Sequence, residues 1–246
     1  MCEKSLFIIT TTLNEENEIS AHVKYLNNIS DNYNIRYAII DGGSTDNTLS
    51  VLQSKCSQKG IFLSGNYTIY QAWNVGVENI NGAEYVCFLG VGDRLSELYV
   101  KGVLLNANNN HDVLFSNLCK NNKKMISNIN PSMMNWTRFP FPHAGTFFHK
   151  NLFKKIGKFD EIYKIAGDLE WILRLNRFAR VKGFDVRYKY IEKGCICMRP
   201  GGVSVGEGKH VPVLIRETIK AHFLHKTPIS IKRILYFLII YIRRIF

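Results

Sequence analysis

The segment Ile39-Ile-Asp-Gly-Gly-Ser-Thr-Asp-Asn-Thr48 ends an apolar, β-branched run on a carboxylate and follows it with two glycines and a polar stretch. A carboxylate at the end of a buried strand, here Asp41, is poorly placed for packing. It is well placed to accept hydrogen bonds from a nucleotide base N–H or a ribose hydroxyl. Gly42 and Gly43 let the backbone turn tightly and approach a ligand, and Ser44, Thr45 and Asp46 can open a helix. The same spacing also fits a strand-turn-helix corner in which Asp41 and Asp46 cap backbone amides.

Other residues carry comparable potential. Asp93 closes Gly90-Val-Gly-Asp93 after a second apolar run, and Asp168 and Glu170 stand two apart on a helical pattern, so their side chains point different ways. His143, between Pro142 and Gly145 in a constrained loop, could donate to a diphosphate or hold an acceptor; alternatively it is hydrogen-bonded to backbone beside a sheet. Trp73 and Trp136 could stack on sugar faces or belong to the core. Cys195 and Cys197 are the only close cysteine pair, and without a second Cys/His pair at finger spacing no zinc site is expected. The scattered remainder suits buried thiols in a reducing compartment.

These residues need elements to position them. Residues 6–10, 37–40, 61–63 and 85–89 are continuous apolar runs of strand length, and residues 16–28, 46–59 and 69–79 between them are long enough for helices. That alternation predicts βαβ units and a mostly parallel sheet covered on both faces. Ligands in such sheets collect outside the carboxyl ends of the strands, where Thr11, Asp41 and Asp93 fall. The second half is less regular: 106–110 and 121–130 read as loops, 151–156 and 167–179 as helices. One domain over residues 1–208, followed by a helical extension over 209–246, is the expected organisation.

Several of these segments together resemble glycosyltransferase family 2 enzymes of the GT-A fold, closest to those of bacterial colanic-acid, capsule and O-antigen (lipopolysaccharide) assembly. The resemblance rests on Ile8-Ile-Thr-Thr-Thr-Leu-Asn-Glu15, the Asp41 segment and Phe88-Leu-Gly-Val-Gly-Asp93. It extends to Tyr70-Gln-Ala-Trp-Asn-Val-Gly76, Pro142-His-Ala-Gly-Thr-Phe-Phe148, the stretch from Phe159 to Arg174, and Gly201-Gly-Val-Ser204. It implies an α/β, Rossmann-like nucleotide-diphospho-sugar transferase fold and an inverting transfer from a UDP-sugar to a saccharide or lipid-linked saccharide. By this resemblance Thr11, Asp41, Asn74 and His143 belong to nucleotide-sugar binding. Asp93 would hold a divalent cation, Mn²⁺ or Mg²⁺, and Asp168 would be the general base. The sequence departs from the family at Gly90-Val-Gly-Asp93, where only the last carboxylate of the usual Asn-Ser-Asp-Asp remains, and at Gln71, Ile69 and Leu13.

The chain of 246 residues is 46% hydrophobic with a net charge of +12, which excludes a disordered tail and suggests an anionic partner. Residues 113–159 contain eight Lys/Arg and no acid, and residues 209–246 contain eight with Glu217 alone, leaving the remainder at −3. Local patches of this kind argue against a uniformly basic nucleic-acid coat. No secretion signal is visible at the N-terminus. In residues 229–246, Lys232, Arg233, Arg243 and Arg244 fall on one side of a helix and Leu235, Leu238, Ile242 and Ile245 on the other, since eleven steps of about 100° nearly close three turns. This predicts peripheral contact with anionic lipid at the cytoplasmic face of a bacterial plasma membrane. The alternative is a helix packed on the body or on a second subunit of a homodimer. A catalytically inactive sugar-nucleotide-binding subunit, and a metal-independent or GDP-sugar enzyme, are the rival functional readings.

Overall fold

A computed structural model describes residues 5–33, 35–56, 60–80, 82–107, 111–120, 123–125, 141–199, 210–232, 234–235, 238–239 and 242. Trp136 and the 201–204 loop lie outside the described residues.

The first half alternates as its pattern predicts: β1 (Leu6–Thr12), α1 (Ile19–Asn32), β2 (Ile35–Asp41), α2 (Thr48–Lys55), β3 (Gly60–Ser64), α3 (Ile69–Glu78) and β4 (Tyr85–Gly90). Then follow β5 (Arg94–Leu95), α4 (Glu97–Asn106), β6 (Val113–Lys120), β7 (Lys123–Met125), β8 (Phe147–His149), α5 (Asn151–Ile156), α6 (Gly167–Lys182), β9 (Tyr188–Met198) and α7 (Val211–Leu224). One sheet runs β3-β2-β1-β4-β8-β6-β9-β5, with β7 on β6. The pairs among β3, β2, β1 and β4 are parallel, and β8 joins antiparallel to β4.

Side chains alternate across the sheet, so the continuous apolar runs feed two cores. Phe7 and Ile9 of β1 pack with α3, α5, α6 and α7, whereas Leu6 and Ile8 pack with α1, α2 and α4. Local chemistry sets the helix ends. Gln71, where the family usually has an acid, accepts the Thr68 N–H at 2.9 Å and completes a capping box that starts α3. α1 begins at Ile19 rather than near Glu16, because Glu16 is engaged at the 46–47 turn: its N–H donates to Asp46 and its carboxylate accepts from Asn47.

Three elements differ from expectation. The expected loop at 121–130 contains β7, which pairs antiparallel with β6. β9 spans eleven residues in a stretch whose mixed polarity hides it, since it is half-exposed along most of its length. The first part of the expected 209–246 extension is α7, which lies against α6 and contributes Leu214 and Ala221 to the core.

Gly76 sets how closely α3 approaches the sheet: a Cβ there would stand 2.6 Å from Ile9 Cγ2, inside the core. Gly→Ala in a helix ordinarily stabilises by about 1 kcal/mol. Here overpacking, which costs about 1–3 kcal/mol, should prevail, so Gly76→Ala is expected to lower the unfolding free energy in urea titrations. A more stable variant would show that α3 is free to move off β1.

Candidate active site

A cavity of about 310 Å³ opens outside the carboxyl ends of β1, β2 and β4. Thr11 and Asp93 line it, together with Gly42, Glu15, Arg199 and the 67–69 segment leading into α3. Of the residues expected to bind a nucleotide-sugar or metal, the structure brings Thr11 and Asp93 to this wall. Asp41, Asn74 and His143 sit behind it.

Asp93 is buried, with Oδ2 accepting the Gly90 N–H at 3.0 Å and Oδ1 accepting the Arg199 N–H at 2.9 Å. Burial raises its pKa, and those two N–H groups and the charges of Arg199 and Arg94 pull it back part of the way. The Arg199 guanidinium forms a bidentate pair with Glu15 at 2.9 and 3.0 Å. Gly92 makes room for this arm: its φ is +91°, and a Cβ would stand 2.5 Å from Arg199 Cδ. Where the related motif has an additional acid, this chain has a glycine with an arginine lying over it.

His22, from α1, supports the same loop from below. Its Nδ1 accepts the Gly92 N–H at 3.2 Å and lies 2.9 Å from Arg94, which leaves Nε2 to donate to Thr10 Oγ1 at 3.0 Å. Burial foremost, then the Arg94 and Arg199 charges, lower its pKa to about 3, so the ring is neutral. His22, Glu15 and Arg199 were not anticipated as site residues. The contacts that bring them to the site, His22 with Gly92 and Glu15 with Arg199, join residues 70 and 184 positions apart, beyond the reach of spacing arguments.

Asp41 has no exposed surface. Its carboxylate accepts from Gly43 N–H and Ser44 N–H, both at 2.9 Å, and from the hydroxyls of Ser44 and Ser64. This is the corner-capping arrangement, and it shapes the Gly42 wall of the cavity from behind. Asn74 does similar work for another loop: its amide donates to Phe159 O at 3.0 Å and Glu161 Oε1 at 2.8 Å, and its oxygen accepts the Phe159 N–H at 3.0 Å. The result is a clamp between α3 and the chain leading to α6.

His143 is enclosed in an aromatic stack, with ring centroids 4.8 Å from Trp73 and 5.3 Å from Phe88 at small interplanar angles. Burial lowers its pKa to about 3. A neutral ring in this stack packs the core face of the sheet; it is not among the cavity-lining residues. Trp73 is partly buried and packs against the same core.

Asp168 is half-buried on the first turn of α6. Its Oδ1 accepts the Leu169 N–H at 2.7 Å. Gly167 before it packs on Tyr70, whose ring would lie 2.8 Å from a Cβ, so the start of α6 is seated on α3 next to the cavity-lining residues Ile69 and Ala72. The chain into α6 is held by Glu217 of α7, whose carboxylate accepts the N–H groups of Lys164, Ile165 and Ala166 at 2.8–2.9 Å. Glu170 faces elsewhere. It is buried against Arg174 at 2.8 Å and His225 at 2.9 Å. Burial alone would raise its pKa, but His225 and Arg174 hold it below the usual range. That pair lines a separate cavity of about 550 Å³ between α6 and the end of α7.

The donor set suits a hard divalent cation that arrives with its substrate. Asp93 and Glu15 place carboxylates at the cavity, with Asp93 engaged by two N–H groups and Glu15 by Arg199, so a cation would use their remaining lone pairs; no third His, Cys, Asp or Glu joins either of them in a metal-sized cluster among the described residues. Mg²⁺ and similar ions commonly take one or two carboxylates and complete their shell with substrate phosphates.

A mixed, mostly parallel α/β sheet flanked by helices, with a cavity at the carboxyl ends of its parallel strands, is the GT-A architecture that solved glycosyltransferase structures share. The family model for Glycosyl transferase family 2 matches residues 7–167, and the chain belongs to that family. Solved structures share the fold at low identity. S. aureus TarS is similar with a TM-score of 0.62 at 15% identity over 98% of this chain, and the chain spans 43% of the full TarS length. The Mycobacterium tuberculosis glucosyl-3-phosphoglycerate synthase, solved with Mn²⁺, UDP and glucosyl-3-phosphoglycerate, gives 0.59 at 15% identity over 92% of this chain and 82% of its own. The mannosyltransferase PcManGT of Pyrobaculum calidifontis, solved with GDP-Man and Mn²⁺, gives 0.58 at 16% over 94% and 68%. No significant match among curated proteins is found.

The two buried histidines make stability acid-sensitive. Unfolded, each takes up a proton near its ordinary value of 6.5; folded, each resists protonation until about pH 3. Their contribution is therefore complete above pH 6.5 and declines as pH falls towards 3, by about 1.4 kcal/mol per pH unit for each ring. Urea titrations between pH 6.5 and 4.5 should show His143→Phe, which keeps the aromatic stack, losing stability less steeply by about that amount. Parallel slopes for variant and wild type would contradict a neutral, enclosed His143.

Proposed function

We propose that the chain transfers a sugar from a nucleoside-diphosphate donor, UDP-linked, to a saccharide or lipid-linked saccharide acceptor, with inversion, in the synthesis of a bacterial surface polysaccharide such as capsule or lipopolysaccharide. The observation that carries this reading is the placement of Thr11, Asp93 and Arg199 around one cavity, with the Asp168 turn seated on the α3 segment beside it. UDP-GlcNAc bound to TarS, and UDP bound to the mycobacterial synthase, support a UDP donor.

In the proposed reaction the donor's nucleoside lies against Thr11 and the Gly42 wall, with its diphosphate towards Asp93 and Arg199. Asp168 accepts the proton of the acceptor hydroxyl. The acceptor oxygen bonds to the anomeric carbon from the face opposite the leaving group. The bond from that carbon to the β-phosphate oxygen breaks, and its electron pair stays on the diphosphate. Asp93, with Glu15 nearby, would hold a Mn²⁺ or Mg²⁺ ion, whose chemistry when bound is to offset charge on the departing diphosphate. Arg199 adds a fixed positive charge to the same end of the cavity. Asp41, Asn74 and His143 contribute by positioning: Asp41 holds the 41–44 turn, Asn74 clamps the 159–161 loop, and His143 packs against Trp73, Phe88 and Phe159.

One observation favours a second reading, a sugar-nucleotide-binding subunit without turnover: both Asp93 oxygens already accept internal N–H groups. Turnover separates the two. With a UDP-sugar and Mn²⁺, Asp168→Asn should lower kcat by about 10²- to 10⁴-fold while UDP affinity in calorimetry stays unchanged. UDP binding without turnover by the wild type across a panel of sugars and acceptors would favour the binding subunit, and full activity of Asp168→Asn would remove Asp168 from the base position. Chelation by EDTA should abolish wild-type turnover, and Mn²⁺ should restore it.

The tail adds a membrane reading. Residues described between 231 and 242 are helical, and Leu235, Leu238, Ile239 and Ile242 are 39–54% exposed, so the body does not cover this apolar face. Among the described residues no helix is long and apolar enough to cross a bilayer. The proposed role of residues 229–246 is to lie in an anionic leaflet with the basic side outward, bringing the cavity beside a lipid-linked acceptor at the cytoplasmic surface. A chain ending at Pro228 should then lose co-sedimentation with phosphatidylglycerol vesicles. Equal sedimentation of the folded, truncated protein would exclude the tail as the anchor.

A further inference from the structure

The structure gathers three cysteines that the sequence keeps apart. Cys119 is near the end of β6, and Cys195 and Cys197 are two apart on β9. β6 and β9 run parallel, with Cys119 directly opposite Cys197. Residues two apart on a strand share a face. Ile196 between them is fully buried, while all three cysteines are half-exposed, so the thiols point away from the core on one accessible surface. The three Sγ atoms lie within 4.8 Å of one another, and those of Cys195 and Cys197 are 3.7 Å apart.

That separation is far from the ~2.05 Å of a disulfide. It is close to the S···S edge of about 3.8 Å that a tetrahedral ion with Zn–S bonds of about 2.3 Å requires. The local backbone brings the thiols together: the Cys195 N–H donates to Ser96 Oγ at 2.9 Å, Gly194 before it adopts φ +94°, and a register shift between Ser116 and Leu118 brings Cys119 level with Cys197. Soft thiolates select Zn²⁺ and similar thiophilic cations over the hard ions that suit Asp93.

We propose that Cys119, Cys195 and Cys197 form a binding site for a thiophilic divalent cation, Zn²⁺ being the test ion, with its fourth position open to water or an external ligand. Each thiol gives up its proton as its sulfur bonds to the ion, so binding one Zn²⁺ releases up to three protons and weakens as pH falls. The site's role is to brace the fold. It ties β6 to β9 two residues before Arg199, whose backbone N–H holds Asp93 and whose guanidinium holds Glu15. The ion therefore braces the strand that delivers Arg199 to the cavity. This inference stands apart from the proposed sugar transfer and is tested without it.

The full chain, reduced with a non-thiol reductant and freed of metal, is titrated with Zn²⁺ against a chromophoric zinc indicator, and separately with Co²⁺ followed by absorption. One equivalent of Zn²⁺ should bind, and Co²⁺ should give a thiolate-to-metal charge-transfer band. The Cys119→Ser, Cys195→Ser and Cys197→Ser variants should each lose that equivalent, whereas Cys56→Ser should keep it. No Zn²⁺ bound by the reduced wild type, or a triple serine variant that binds as much as wild type, would overturn the proposal. The Co²⁺ band is read on the wild-type chain, so it remains decisive even if a serine variant fails to fold.

Discussion

A carboxylate with no exposed surface is costly to bury unless its oxygens are fully hydrogen-bonded, and Asp41 meets that condition by organising the site around itself. Ser44 donates to Asp41 and accepts the Asn14 N–H at 2.8 Å. The next residue, Glu15, pairs with Arg199, and the Arg199 backbone N–H reaches Asp93. A connected path thus runs from the end of β2 through the β1 loop and the far end of β9 to the end of β4. The cavity occupies the space this path encloses, so its shape depends on contacts between segments as much as 184 residues apart.

The approach to α6 depends on a second carboxylate used in the same way. Glu217 accepts three backbone N–H groups in the approach to α6, those of Lys164, Ile165 and the N-cap residue Ala166. With that approach held, Gly167 seats α6 on Tyr70, and Asp168 sits on the first turn. Asp168 and Glu170 differ by two positions and by environment. One is half-exposed beside α3, and the other is enclosed between Arg174 and His225. Two acids of the same chemistry thereby meet different surroundings.

The first half of the fold was readable because apolar runs of strand length and intervening helical stretches are local signals. β1 to β4 fall where those runs predict, and Gln71, which departs from the family pattern, turns out to cap α3. β9 escaped notice because half-exposure removes a clean alternation, and β7 because it is three residues long. Residue type and position at the strand ends pointed to Thr11 and Asp93, which line the cavity, but not to the facing direction of Asp41, Asn74 and His143, which do not. Arg199 and His22 had no local signature at all. Their importance comes from lying opposite Gly92, a contact that neither spacing nor composition encodes.

By itself the sequence determined the alternating first half, the family, and which residue types stand at the carboxyl ends of the strands, since these depend on near-neighbour periodicity and on motifs in order. Only the tertiary structure decided which of those residues face the cavity and which hold it up. It decided that α7 belongs with the body, and that Cys119 meets Cys195 and Cys197. Each of these outcomes depends on strand register and on pairing across long stretches of chain, where one residue of slip turns every side chain to the opposite face.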